Sequence, residues 1–371
     1  MIIGVLKEIK PNEYRVAATP ATVGELVRRG HTVLVQADAG KGSGYTDAEY
    51  AAAGATILAT AKEVYEGADL FYKVKEMFPE EWQYMNENKI VFTYIHSNAH
   101  PEETDAILES KVTAIAYEDV TDDQGAFPLL RPMSILAGKG GFLAALHHMQ
   151  SVFGGNGTLL ANICGMETPV VTIIGAGNSG LGAAELAAGF GNTVRILDVN
   201  LAAMEAAKAK LPSNVTCMYS NRENLVKCLK DSDLIINCIL WPKHRKDHLI
   251  NREDLKMMKK SAMIVDVACD DEGAVETCRS TTHDAPTYYE EGILHYCVDN
   301  IPSAFARTAS IMLCNATLPF LLQIAGKGVE TALKENVHLR KGLTAYDGKL
   351  TLAETALKQN RTLYSADEMF G

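Results

Sequence analysis

Val170-Val-Thr-Ile-Ile-Gly175-Ala-Gly177-Asn178-Ser179-Gly180 sets three glycines in G-x-G-x-x-G spacing, after a β-branched run and before the Ala-rich segment 181–189. That order suits a dinucleotide pyrophosphate. Gly175 permits a tight turn, Gly177 lets the backbone approach the phosphates, and Gly180 allows close packing of helix on strand. The following helix would add unpaired N–H donors and a partial positive charge. Asp198 closes the next apolar run, 23 residues after Gly175. A carboxylate there accepts hydrogen bonds from ribose hydroxyls and repels a 2′-phosphate, so NAD is expected rather than NADP. Other clusters carry less. His96-x-x-x-His100 and His244-x-x-x-His248 have i,i+4 spacing, but neither has the Glu of H-E-x-x-H, and no metal is expected. Gly40-Lys-Gly-Ser-Gly44 and Gly138-Lys-Gly-Gly141 miss the phosphate-loop spacing and read as turns or close packing.

The elements that must position these residues alternate. Ile2–Leu6, Thr32–Gln36, Asp69–Val74, Ile90–Ile95 and Val112–Tyr117 read as strands, with helices at Ala21–Arg29, Asp47–Gly54 (capped by Thr46) and Glu102–Ser110. A long helical pattern covers about Met133 to Val152. A second series has strands at Val170, Thr193–Asp198, Val215–Tyr219, Leu234–Cys238, Ala262–Val267 and Leu294–Val298, followed by helix from about Ser303 to Asn336. Alternating strands and helices imply parallel, doubly wound sheets. The expected fold is α/β: two Rossmann-like lobes with a cleft between them, linked by long helices.

Composition narrows the function classes. The chain has 371 residues, 35 Lys+Arg against 46 Asp+Glu, and a net charge of −11. That balance disfavours nucleic acid and anionic membrane surfaces as partners. Hydrophobic residues are 47% of the chain, enough for sizeable cores. The N-terminus lacks a signal-peptide core, and the weakly charged stretch 169–191 splits into strand, turn and helix. All eight cysteines lie between Cys164 and Cys314 without a C-x-x-C, which suggests free thiols and a cytoplasmic protein.

Further segments form a consistent set: Asn12-Glu13-Tyr14-Arg15-Val16-Ala17, Lys73-Val-Lys75-Glu76, Phe92-Thr-Tyr-Ile-His96, Ala116-Tyr117-Glu118, Pro128-Leu-Leu-Arg-Pro-Met133-Ser134, Asp266-Val-Ala-Cys-Asp270, Arg279-Ser-Thr-Thr-His283 and Tyr296-Cys-Val-Asp-Asn300-Ile-Pro302. Together they resemble the alanine dehydrogenase/transhydrogenase α-subunit family, most specifically its alanine dehydrogenase branch, over about residues 1–345. The resemblance implies a substrate domain of 1–128 plus 307–371, an NAD domain of 129–306 inserted between them, and a homohexamer. It implies oxidative deamination of L-alanine to pyruvate and ammonium, and the reverse. Arg15 would clamp the substrate carboxylate, and a guanidinium fork suits that. Strand alternation puts Lys73 and Lys75 on one face and does not choose between them; the family match selects Lys75. His96 would be the general acid/base, since imidazole titrates near neutrality. Asp270, at a strand's carboxyl edge, would orient the amine and water. Met133 and Asn300 would face the substrate. Ser134, Asn178, Ser179, Ser220, Ile239, Leu240, Val267, Asp270, Arg279, Val298 and Asn300 would join Gly175, Gly177, Gly180 and Asp198 around the cofactor.

Some residues depart from that pattern. Asp271 and Glu272 add acids beside Asp270, and Asp299 another beside Asn300. Trp241-Pro-Lys-His-Arg-Lys246 replaces a Gly/Ala-rich stretch. Gln323 and Lys327 stand where some members carry an acid and a His for magnesium. The alternatives these changes keep open are a dehydrogenase of another small or amine-bearing amino acid, opine-type included, and a non-catalytic NAD-binding regulator.

Overall fold

The computed structural model describes residues 1–242, 245–269 and 273–371. They fall into two compact units, Met1–Met133 with Phe305–Gly371, and Ser134–Ala304.

The first unit holds β1 (Ile2–Val5), β2 (Thr32–Gln36), β3 (Thr56–Leu58), β4 (Leu70–Tyr72), β5 (Ile90–Thr93), β6 (Thr113–Ala116), and from the C-terminal segment β14 (Leu343–Tyr346) and β15 (Lys349–Leu350). The sheet order is β15-β14-β6-β5-β4-β1-β2-β3. Strands β1 to β6 are parallel, while β14 and β15 run antiparallel. Every residue of β4, β5 and β6 is buried. Strands covered on both faces read as continuous apolar runs, which is why the sequence shows them. Capping boxes Thr46/Glu49 and Thr60/Glu63 start the helices Asp47–Ala52 and Ala61–Gly67.

The helix Ala306–Lys327 belongs to this unit. The segment Ile301–Lys327 is long and apolar enough to cross a membrane, but one face of the helix is packed inside the protein. Ser310 Oγ accepts the Val16 N–H (2.9 Å), and Cys314 Sγ donates to the Ala17 carbonyl (2.8 Å). The helix thereby fixes the loop carrying Arg15.

The second unit holds β7 (Val170–Ile174), β8 (Thr193–Asp198), β9 (Val215–Tyr219), β10 (Leu234–Asn237), β11 (Met263–Asp266), β12 (Thr287–Glu290) and β13 (Ile293–Tyr296). Their order is β12-β13-β11-β10-β7-β8-β9, parallel except for the edge strand β12. Leaving out the antiparallel edge strands, both sheets follow the doubly wound order 6-5-4-1-2-3. The strand order reverses between β1 and β4 in one unit and between β7 and β10 in the other. Ligand sites in such sheets form at the carboxyl ends of the strands flanking that reversal.

Three differences from the sequence reading matter. The strand expected to reach Val74 stops at Tyr72, and the Val74 N–H is taken by the Glu8 carboxylate (2.6 Å). The long helix is Arg131–His148 rather than Met133–Val152; a 3₁₀ turn and the positive-φ Gly154 follow it. Strands β3, β12, β14 and β15 have no counterpart in the sequence reading.

Candidate active site

In the first unit, neighbouring strands deliver their following residues to one sheet edge. β1 leads to Glu8, Glu13 and Arg15, β4 to Lys73, Lys75 and Glu76, β5 to His96, and β6 to Glu118. Arg15 is 3% exposed. Its Nε and Nη2 donate to the two Glu13 carboxylate oxygens at 2.7 and 2.5 Å, and Nη1 lies 3.3 Å from Met133 Sδ. Burial alone would lower its pKa, but Glu13 raises it, so the guanidinium stays charged. The fork expected to grip a ligand therefore grips Glu13.

The structure separates the two lysines that alternation left equivalent. Both lie beyond β4, where alternation no longer applies. Lys73 is fully buried, with Nζ 2.7 Å from Glu81 and 3.5 Å from Glu8. It serves the interior. Lys75 is only partly buried, and its side chain has no ion pair or hydrogen bond among the described residues. Burial lowers its pKa, and the Arg15 and Lys10 charges add to that.

His96 sits in a left-handed turn (φ 52°, ψ 40°), so His96 and His100 do not share a helix and lack metal-binding i,i+4 geometry. Its imidazole stacks parallel on Tyr94, with centroids 5.9 Å apart. Surrounding protein atoms, then the Lys75 charge, push its pKa down to about 4, against the pull of Glu76. The ring is thus neutral at neutral pH and able to accept a proton. Glu118, in the segment Ala116-Tyr117-Glu118, has no role in the sequence reading. Its carboxylate accepts the backbone N–H groups of Ile95 and His96. Burial pushes its pKa up to about 7.

In the second unit, Gly175 has φ +107°, and a Cβ there would meet Ile239 at 2.8 Å. A Cβ at Gly180 would lie 1.9 Å from the Gly175 carbonyl oxygen, and one at Gly177 would have nothing within 4 Å. So 175 and 180 demand glycine for internal reasons, while 177 is open on its Cβ side. Asn178 and Ser179 open the helix Asn178–Gly189. Ser134 starts this unit, within the helix Arg131–His148. The Asp198 carboxylate accepts the Ala176 (2.6 Å) and Asn200 (2.8 Å) N–H groups, which ties it to the glycine turn. Ser220 donates its N–H to the Asp198 carbonyl (2.8 Å).

Ile239 and the exposed Leu240 follow β10, and Val267 follows β11. Arg279 lays its guanidinium 4.0 Å over the Tyr288 ring. Val298 and Asn300 are buried. Asp270, Asp271, Glu272 and His244 lie outside the described residues. Asp266, which carries no role in the sequence reading, holds the turn that follows β11: its Oδ1 accepts the Ala268 and Cys269 N–H groups and the Asn237 amide.

Family models described as the alanine dehydrogenase/PNT N-terminal and C-terminal domains match residues 4–137 and 142–353. The chain belongs to the alanine dehydrogenase/PNT family. It is 45% identical to the alanine dehydrogenase of Methanococcus maripaludis over 96% of both chains. It is 43% identical to that of Bacillus subtilis, over 96% of this chain and 94% of the other. A solved L-alanine dehydrogenase superposes with a TM-score of 0.92 at 36% identity, covering 97% of this chain and 99% of that one.

The departures from the family pattern have local explanations where described. Trp241 Nε1 donates to the Asp247 carbonyl (2.6 Å), and Arg245 stacks on its ring at 4.2 Å. Gln323 Oε1 accepts from Asn336 (2.8 Å), and Lys327 pairs with Glu335. Asp299 is exposed.

Proposed function

We propose that the chain catalyses the NAD-dependent oxidative deamination of L-alanine, in which L-alanine, NAD⁺ and water give pyruvate, ammonium, NADH and a proton, and the reverse reductive amination. The observation that carries this reading is one sheet edge holding two cations, Arg15 and Lys75, around an imidazole kept neutral. A 2-amino acid needs its carboxylate held and a proton taken from its ammonium before hydride can leave Cα. Arg15 Nη1, beside Met133, and Lys75 supply the holding charge. Substrate carboxylate there would offset the cations that depress His96, making the imidazole more basic once substrate is bound. His96 then accepts a proton from the amine or the attacking water, and Asp270 orients both.

The glycine turn and Asp198 fit a dinucleotide: 177 is open toward a phosphate, and the carboxylate stands beside the turn. NAD, when bound, supplies the hydride acceptor. Ser134, Asn178, Ser179, Ser220, Ile239, Leu240, Val267, Arg279, Val298 and Asn300 would line it, with Asn300 also toward the substrate. In this reading 1–128 with 307–371 binds substrate, 129–306 binds NAD, and the enzyme is a cytoplasmic homohexamer.

Two measurements test the proposal. Amino acids presented with NAD⁺ and followed by NADH absorbance should show L-alanine preferred over serine, 2-aminobutyrate, ornithine and lysine; preference for a diamino acid would reject the substrate. His96→Ala should abolish turnover while NADH affinity stays within twofold; retained turnover would reject the acid/base role.

A further inference from the structure

His96 leaves β5 in a backbone conformation that a residue with a Cβ adopts uncommonly. Something must hold it there. Glu118, just beyond the adjacent strand β6, does so. Its Oε1 and Oε2 lie 3.1 and 3.3 Å from the Ile95 nitrogen, and Oε1 also accepts the His96 N–H. The same Oε1 is 3.6 Å from His96 Nδ1. One carboxylate therefore binds both the backbone of the turn and the near edge of the ring. The Glu118 side chain is 11% exposed, whereas the His96 side chain is 40% exposed. Tyr94 covers one face of the imidazole. With Nδ1 toward Glu118 and a face on Tyr94, the ring edge left for a ligand carries Nε2.

A histidine's tautomer is set by the partner of the nitrogen that does not react. We propose that Glu118 is the positioning residue for His96: it holds the left-handed turn and keeps the ring proton on Nδ1, so that the Nε2 lone pair is the base. This rests on the reading of His96 as the acid/base. An ionised Glu118 only accepts hydrogen bonds, so a neutral His96 satisfies it only by presenting Nδ1–H. The 3.6 Å separation is longer than a closed hydrogen bond, as acid/base pairs often are before substrate arrives. The other charged or titratable groups acting on His96 are Lys75, Glu76, Lys10 and Arg15, with His100 coupled to it and Asp119 beside Glu118. None of them bridges the turn backbone and the ring.

Two readouts test this. In the unmodified protein, long-range proton–nitrogen correlation of the His96 ring, assigned by its loss in His96→Gln, should show the Nδ1–H tautomer at pH 8. An Nε2–H tautomer overturns the proposal without any Glu118 variant having to fold. In Glu118→Gln, kcat for L-alanine oxidation should fall roughly 10- to 100-fold, the range seen when a metal-binding histidine loses its carboxylate partner. KM for L-alanine should stay within threefold, because Arg15 and Lys75 are untouched. A folded Glu118→Gln with kcat within threefold of wild type rejects the positioning role. If His96→Gln is inactive in that case, the acid/base reading stands and only this inference fails; if His96→Gln turns over, that reading fails instead.

Discussion

Two lysines two residues apart show how much a side chain's surroundings decide. Lys73 is sealed between Glu8 and Glu81, and the Tyr65 hydroxyl also donates to Glu81. Removing one partner of a buried ion pair leaves an uncompensated charge and costs about 3–5 kcal/mol. Lys73→Met should therefore lower the unfolding free energy by about that much, measured by urea denaturation. Lys75 is only partly buried and already pushed toward neutrality, so Lys75→Ala should change stability by less than about 1 kcal/mol while kcat/KM for L-alanine falls at least 100-fold. The reverse pattern would exchange their roles. Asp198 is a third case. Its carboxylate binds the glycine-turn backbone through Ala176, so Asp198→Ala should weaken NADH binding roughly tenfold, as expected for a lost charged hydrogen bond. It should also reduce discrimination against NADPH, read by fluorescence titration with both. Unchanged NADH affinity with intact discrimination would remove Asp198 from the ribose site.

At the scale of elements, close approach explains why glycines recur where no turn needs them. A Cβ at Gly138, within Arg131–His148, would fall 1.8 Å from the Ser179 carbonyl oxygen, and one at Gly182 2.5 Å from that of Ile135. The two helices thus touch backbone to backbone, at the helix start that follows the fingerprint. Gly138→Val must displace Ser179, so NADH affinity should drop more than tenfold. Gly189→Ala, with nothing within 4 Å of the new methyl, should be neutral or stabilising by up to about 1 kcal/mol; calorimetry of the two variants separates packing from propensity. The elements legible in the sequence were those whose signal is local: apolar runs for β4 to β6, the Thr46 cap, and the strand–glycine–helix order. The antiparallel additions escaped for two reasons. β14 and β15 are short, and their hairpin signal is only the dipeptide Asp347-Gly348, both residues at positive φ. That dipeptide is a recognisable two-residue turn. Glu291-Gly292, between β12 and β13, has the same positive φ values without the Asn or Asp that advertises them. Glu13 and Glu118 stood in recognised motifs, yet their parts depend on which strands become neighbours, and that is a property of the sheet rather than of the segment.

The whole molecule carries a net charge of −11, and part of its acidity is spent inside. Burial raises Glu8, Glu118 and Asp119 to about 7, and Glu103 well above its ordinary value. Each keeps in the folded state a proton that the unfolded chain loses near pH 4, so each favours folding at low pH and loses that contribution as pH rises through its folded pKa. Two histidines act the other way. His96 and His295 are lowered, so the unfolded chain gains protons that the fold refuses below about pH 6.5. Above that pH the histidine contribution is exhausted and only the carboxyls remain. Thermal stability should therefore fall between pH 6.5 and 8. Glu103 isolates the effect. Its Oε1 accepts the Met77 N–H (2.7 Å), a bond that an amide oxygen can keep, while its Oε2 is buried with no hydrogen-bond partner among the described residues. Glu103→Gln removes the titration and little else. It should raise Tm at pH 8 by about 2 °C or more and leave it unchanged near pH 4, where Glu103 is protonated in both folded and unfolded chains. An equal gain at both pH values would mean that the substitution works through packing, and no gain at pH 8 would mean that Glu103 is not held neutral by the fold.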